Sequence, residues 1–221
     1  MERATGAPPV PPLVESRWPQ AVAELADYAE RLATTGVERG LLGPREVHRL
    51  WDRHLLNCAV AVDVAPPAAT VLDLGSGAGL PGLVWALVRP DLVVTLVEPL
   101  RRRAAFLTEA IAGLGLERRV QVRRARAEDL AGSVTADVVT SRALAPWSRL
   151  AGWSLPLVAP GGMVAALKGA SAAEELARSA EHLRQAGATH TEVLLFGADV
   201  LAHPTRVVII RRGDEDNEGT S

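Results

Sequence analysis

Apolar residues along the 221-residue chain recur with two different periods, and the change from one to the other divides it. Trp18, Val22, Leu25, Tyr28 and Leu32 follow helical spacing up to Gly36, a residue that suits a helix stop. A second helix is predicted from Pro44, the favoured first-turn position, with Val47, Trp51, His54, Leu55 and Cys58 along one face. From Thr70 onward the period shortens. β-Branched runs at 70–74, 93–97, 120–122, 137–140 and 163–167 alternate with helical stretches, the mark of repeated strand–helix–strand units and hence of a parallel sheet. Two last runs, 192–196 and 206–210, are separated by only nine residues, Gly197 and Pro204 among them. That gap is too short for a helical crossover of about a dozen residues, so this pair should be antiparallel.

The pattern therefore predicts an α/β chain: a mostly parallel seven-stranded sheet with an antiparallel C-terminal strand, preceded by a helical extension. Pro8, Pro9, Pro11 and Pro12 predict that residues 1–17 form a disordered arm outside the fold. Residues 18–62 make the helical extension and 63–212 the sheet domain, while 213–221, with four acids in the five residues from Asp214 to Glu218, read as a disordered tail.

Composition narrows the class. Apolar residues make up 48% of the chain, enough for a substantial core. A lone cysteine, Cys58, allows no internal disulfide, and the first residues lack the apolar run of a signal peptide. The longest apolar stretch, 83–97, is broken at Arg89-Pro90-Asp91 and falls short of the roughly 18 residues of a membrane span. A cytoplasmic protein with no membrane association is expected, and the scattered histidines offer no metal site. The net charge of −2 says little, but between Arg101 and Arg149 ten arginines face five acids. Of 24 basic residues only Lys168 is lysine, so arginine count alone carries little weight.

Candidate chemistry starts at Asp73-Leu-Gly-Ser-Gly-Ala-Gly-Leu-Pro-Gly82. A loop that leaves a strand, enters a helix and lets a ligand approach its backbone favours glycine, here Gly75, Gly77 and Gly79 around Ser76. Leu80 stands where a dinucleotide fingerprint would place its third glycine, which disfavours a pyrophosphate cofactor. Glu98 ends the next strand, 19 residues after Gly79, where a carboxylate accepts from ribose hydroxyls. Ala127 and Glu128, after the third strand, share that edge of the sheet and suit the adenine. With the antiparallel finish, these residues point to S-adenosylmethionine as the cofactor.

The ordered set of Arg53-His54, the Asp73 loop, Glu98, Ala127-Glu128, Ser141-Arg142-Ala143, Leu167-Lys168-Gly169 and Arg206 resembles the bacterial small-subunit ribosomal RNA guanine-N7 methyltransferases, also called glucose-inhibited division protein B. The resemblance runs from about Leu42 to Ile210. It departs at Gly40-Leu41-Leu42, where the family often has Asn-Leu-Thr, and at Asn57-Cys58, where it has Asp-Ser. It implies a Rossmann-like class I methyltransferase fold, cofactor binding near Gly75, Leu80 and Ala127-Glu128, and an active-site role for Arg142 within reach of cofactor and guanine. It further implies that Lys168 and Arg206 face a substrate, which would be 16S ribosomal RNA or a small ribosomal subunit precursor.

Guanine N7 carries a lone pair in the neutral base, so attack on a sulfonium methyl needs no general base. The absence of an Asp/Asn-Pro-Pro-aromatic motif after the fourth strand speaks against an exocyclic amine target. Catalysis is then expected to be positioning and electrostatics, with Arg142 and Lys168 as the catalytic candidates. Arg102 and Arg103, with Arg101 in the first turn of the helix after Glu98, oppose the helix dipole and are read as RNA phosphate contacts or as solvated charges. Two rival classes remain: a nicotinamide-dependent oxidoreductase, against which Leu80 counts, and a catalytically silent ribosome-assembly RNA-binding protein, whose mark would be a broken loop.

Overall fold

The computed structural model describes residues 6–142 and 144–212. The chain opens with α1 (Pro12–Arg17) and α2 (Val22–Arg31), which continues through a π-helical segment, Leu32–Gly36. The second predicted helix changes winding twice, from 3-10 geometry at Pro44–Arg49, through a π-helical segment at Leu50–Leu55, to α3 (Leu56–Ala61). Trp51, Leu55 and Cys58 are buried as the spacing predicts, but on a helix whose pitch is not uniform.

Seven strands follow: β1 (Thr70–Leu74), β2 (Val93–Val97), β3 (Val120–Arg123), β4 (Ala136–Arg142), β5 (Val158–Lys168), β6 (Ala188–Phe196) and β7 (Thr205–Arg212). They form one sheet in the order β3-β2-β1-β4-β5-β7-β6. The first five pair in parallel, and β7 runs antiparallel to both β5 and β6, as the short final connection requires. The central strands bury successive residues, such as Val71, Leu72, Asp73 and Leu74, because helices cover both faces.

One face carries Val71, Leu96, Val138, Ala165 and Leu167 and packs against α4 (Gly82–Val88), α5 (Arg101–Gly113) and the N-terminal helices. The opposite face, with Leu72, Leu74, Val139, Val164 and Val208, packs against α6 (Trp147–Ser154) and α7 (Ala172–Gln185). Every residue of α4 is buried, because it runs between the sheet and the extension; Trp85 Nε1 donates to the Cys58 carbonyl at 2.9 Å. Extension and sheet thus share one core.

The expectation of a disordered arm fails for the described part of residues 1–17. Residues 12–17 are helical, Val14 is fully buried, Ala7 N–H donates to Glu30 at 2.8 Å, and the Pro8 carbonyl accepts from Trp51 Nε1 at 3.0 Å. Proline is excluded from a helix interior but not from its first turn, where its fixed φ and missing N–H cost nothing. Pro11 caps α1 and Pro12 begins it. The acidic tail expected at 213–221 lies outside the described residues. Among the described residues, no helix is long and apolar enough to cross a membrane.

Candidate active site

Past β1 the chain turns through three left-handed glycines, Gly75 (φ 66°), Gly77 (φ 58°) and Gly79 (φ 100°). A side chain at Gly75 would be excluded by space as well as by φ, since its Cβ would stand 2.4 Å from Leu144 Cδ1. Ser76 is buried and donates to the Asp73 carbonyl at 2.7 Å, while half-buried Leu80 leads into α4. Glu98 closes the loop from the side. Its Oε2 accepts from Gly77 N–H at 3.0 Å and its Oε1 from Leu100 N–H at 2.9 Å, leaving the residue only 2% exposed. This carboxylate sits at the N-terminus of α5 and offsets the cationic first turn, which answers what stabilises three arginines there. Arg103 reaches within 4.0 Å of it, whereas Arg101 and Arg102 are exposed.

Beneath the loop lies Asp73, fully buried, with Oδ2 accepting from Gly82 N–H at 3.0 Å and Oδ1 without a partner. Burial pushes its pKa up to about 7, against the lowering effect of the Gly82 bond. Tyr28, from the extension, donates to the Ala78 carbonyl at 2.5 Å and so braces the loop from the other side. Burial holds the Tyr28 hydroxyl and the Cys58 thiol protonated, the latter with a pKa raised to about 11, so neither titrates near neutrality.

Arg142 ends β4 on the face that meets the extension. Its Nη2 donates to the Arg53 carbonyl and to His54 Nδ1, both at 3.0 Å. Both partners belong to the π-helical segment, a geometry often found at functional sites. His54 Nε2 meets Glu46 Oε2 at 3.1 Å, so Nε2 carries the proton and Nδ1 the accepting lone pair. Burial first, then the Arg142 charge, lowers the His54 pKa and favours this neutral form, with Glu46 acting in the opposite sense. His54 is therefore a satisfied histidine, and what it satisfies is Arg142, the catalytic candidate.

Lys168 ends β5 on the other face. Its Nζ donates to the Ala145 carbonyl at 2.8 Å and to Glu175 Oε1 at 3.0 Å, and it stands 4.7 Å over the Trp147 ring. Arg206 is its partner in the β5–β7 register and makes no side-chain ion pair or hydrogen bond among the described residues. Ala127 and Glu128 form a 3-10 turn just beyond β3, whose end bonds to that of β2 through Glu98 N–H and the Arg123 carbonyl at 3.1 Å. Glu128 is exposed and 3.9 Å from Arg126. The candidate residues thus gather along one edge of the sheet, at the carboxyl ends of β1 to β5, where open α/β sheets bind ligands.

Residues 21–202 match the family described as rRNA small subunit methyltransferase G. The chain belongs to that family. A Salinispora tropica relative named ribosomal RNA small subunit methyltransferase G is 57% identical over 84% of this chain and 79% of its own. A Streptomyces coelicolor protein of the same name is 49% identical over 97% and 90%. Among solved structures, an O-methyltransferase family protein from Burkholderia thailandensis shares the fold (TM-score 0.60, 18% identity, 92% of this chain and 70% of that one). So does TYW2 of P. horikoshii in complex with MeSAdo (TM-score 0.56, 17% identity, 72% and 62%).

Within this rRNA small subunit methyltransferase G member, the expected residues divide. Gly75, Ser76, Gly77, Gly79, Leu80 and Glu98 form one connected unit, joined by Asp73. Arg142 and Lys168, the two catalytic candidates, do not touch: they leave adjacent strands toward opposite faces of the sheet. Sequence reasoning missed Glu46, Tyr28, Leu144 and Glu175: Tyr28 reaches the loop from 50 residues away, while Glu46 and Glu175 lie only 8 and 7 residues from His54 and Lys168 but meet them across a change of element that periodicity does not show. Only His54, half of the Arg53-His54 pair, carried a signal.

Proposed function

We propose that the protein is an S-adenosylmethionine-dependent methyltransferase that methylates N7 of a guanine in small-subunit (16S) ribosomal RNA. The observation that carries the reading is the Glu98–Gly77 bond, which makes acid and glycine loop a single unit beside Arg142 in a chain of this family. The residues fit the cofactor: at Gly77 only backbone lies near the place a side chain would take, Glu98 keeps lone pairs for ribose hydroxyls, and Asp73 Oδ1 is a buried acceptor without a partner. Gly75, Leu80, Glu98 and Ala127-Glu128 would hold it. The MeSAdo complex of TYW2 concerns that protein; what it shares with this chain is the fold.

When bound, S-adenosylmethionine supplies an electrophilic methyl on sulfur. What the chain contributes is orientation. The guanine N7 lone pair needs no base; among the described residues His54 is committed to Arg142 and Glu98 to the loop, while Asp73 lies fully buried beneath the loop. Arg142, with its Nη2 fixed on two acceptors, presents its remaining N–H groups to a carboxylate, a phosphate or guanine O6. The base must leave its stack or lie in an open loop to reach the edge.

Calorimetry with S-adenosylhomocysteine and NADH, together with mapping of N7-methylguanosine after incubation with small-subunit RNA or particles, tests this. Binding of S-adenosylhomocysteine but not NADH and one new N7-methylguanosine are expected; NADH binding, or no methyl transfer to either substrate, overturns it.

A further inference from the structure

The α6–α7 side of the edge is polar in a way that the cofactor loop does not require. A groove of about 660 Å³ opens there, large enough for a nucleoside, with Ala145, Trp147, Lys168 and Glu175 among its walls. The Lys168 side chain is 9% exposed, so its charge is almost wholly withdrawn from water. Two of its ammonium protons are used, on Ala145 and Glu175; the third has no hydrogen-bond acceptor among the described residues, the Trp147 ring lying 4.7 Å away. Glu175 Oε1 accepts from Lys168 and from the Trp147 backbone N–H at 3.1 Å, whereas Oε2 accepts nothing among the described residues. One spare donor and one spare carboxylate oxygen therefore stand side by side. An ion pair this deep is a weak stabiliser compared with apolar packing, which leaves its retention unexplained by the fold. The groove is also in register with the cofactor site: Leu144 lines it and at the same time fills the space over Gly75.

We propose that Lys168 and Glu175 read the Watson–Crick edge of the acceptor guanine, Glu175 accepting from N1–H and N2–H and Lys168 donating to O6. The proposal rests on the reading of guanine N7 as the methyl acceptor. Guanine alone presents two adjacent donors beside a carbonyl on that edge. Adenine places an acceptor at N1, cytosine an acceptor at N3, and uracil a single N–H between two carbonyls; each would leave the Glu175 carboxylate opposed or half satisfied, which is how a polar site discriminates strongly. The usual arginine fork on guanine takes O6 and N7 together, which would block the reacting atom. Gripping the opposite edge leaves N7 facing the Leu144 wall and the loop behind it.

The test compares the wild-type chain and Glu175→Gln on small-subunit RNA carrying guanosine or inosine at the mapped position. Inosine lacks only the 2-amino group. Glu175→Gln should lower kcat/KM on guanosine about 10- to 100-fold, the worth of a paired base contact. Inosine should lower the wild-type value about 5- to 10-fold and the variant's by less than about twofold, because the partner of the missing amine is already gone. S-adenosylhomocysteine binding should be unchanged. Losses that multiply in full, or a variant within twofold of wild type, overturn the proposal, since a merely structural role for Glu175 would not respond to the 2-amino group. The inosine measurement on the wild type needs no variant, and equal use of inosine and guanosine overturns it as well. Absence of any N7 transfer by the wild type defeats the function reading, and this one with it; N7 transfer with multiplying losses defeats this one alone.

Discussion

Arg142 and Lys168 end neighbouring strands, yet their surroundings differ in kind. Arg142 faces the extension and is held by neutral acceptors, the Arg53 carbonyl and His54 Nδ1, so its full charge remains available. Lys168 faces α6 and α7 and is paired with a carboxylate and an indole ring, so its charge is largely compensated. A cation kept unneutralised suits stabilisation of negative charge; one bound to a carboxylate suits recognition of a donor–acceptor pattern. The largest effect should accordingly fall on the first. Arg142→Ala is expected to lower kcat/KM by about 10²- to 10³-fold, the usual cost of one aimed donor, with S-adenosylhomocysteine affinity falling far less. Near-normal turnover at saturating cofactor and RNA would end the asymmetry.

The extension side also carries more of the stability than its place in the chain suggests. Deleting residues 1–17 uncovers Trp51 and removes fully buried Val14 together with the Arg17–Asp63 ion pair at 2.7 Å. Val14→Ala alone should cost about 1–3 kcal/mol from lost burial, and the deletion more, both measured by denaturant melts. Because Trp51 begins the turn that presents His54 to Arg142, the deletion should also reduce methyl transfer. An unchanged melt would mean that the arm does not pack in solution.

Much of this was legible in the chain. Strand periodicity placed the sheet, the short last connection gave the antiparallel finish, and Gly75, Gly77, Gly79 and Glu98 defined the loop, because each signal is local. What was not legible depends on how the chain folds back between elements, even over 7 or 8 residues. Glu175 looks like an ordinary helix-start acid until α7 folds back on Lys168, and Glu46 looks solvated until it meets His54. The prolines misled for a different reason: composition counts them, but whether proline breaks or begins a helix depends on its position in the turn.

His54 makes the comparison titratable. Its folded pKa lies below the ordinary 6.5, so the unfolded chain takes up the proton first as pH falls, and the His54 contribution to stability, full above about 6.5, is lost on acidification. Asp73, with its folded pKa raised from 3.8 to about 7, runs the other way: the folded state binds the extra proton between those values, so stability falls as pH climbs through that window. Protonated His54 has no lone pair for Arg142, so turnover should drop on an acid limb below pH 6.5. His54→Phe should remove that limb at the cost of a lower plateau; a limb that persists unchanged would assign it elsewhere. Asp73→Asn should flatten the opposing stability slope without touching the limb.

The smallest expected effects are those of the arginine rim, and there too the neighbouring charge decides. Arg103 stands 4.0 Å from the Glu98 carboxylate, so part of its field is already spent on that group. Arg102 and Arg206 have no carboxylate within ion-pair distance among the described residues. A phosphate contact made by a free arginine releases counterions and appears as one unit in the salt dependence of RNA binding, whereas loss of a compensated arginine changes that slope less. Arg206→Ala and Arg102→Ala should each reduce the slope of log K against log salt by about 1, uniformly across RNA sequences. Arg103→Ala should shift the slope less and instead weaken S-adenosylhomocysteine binding, because it alone touches Glu98. Equal slope changes for all three would show that the Glu98 pairing is given up when RNA arrives, and that the rim acts as one continuous phosphate-binding surface.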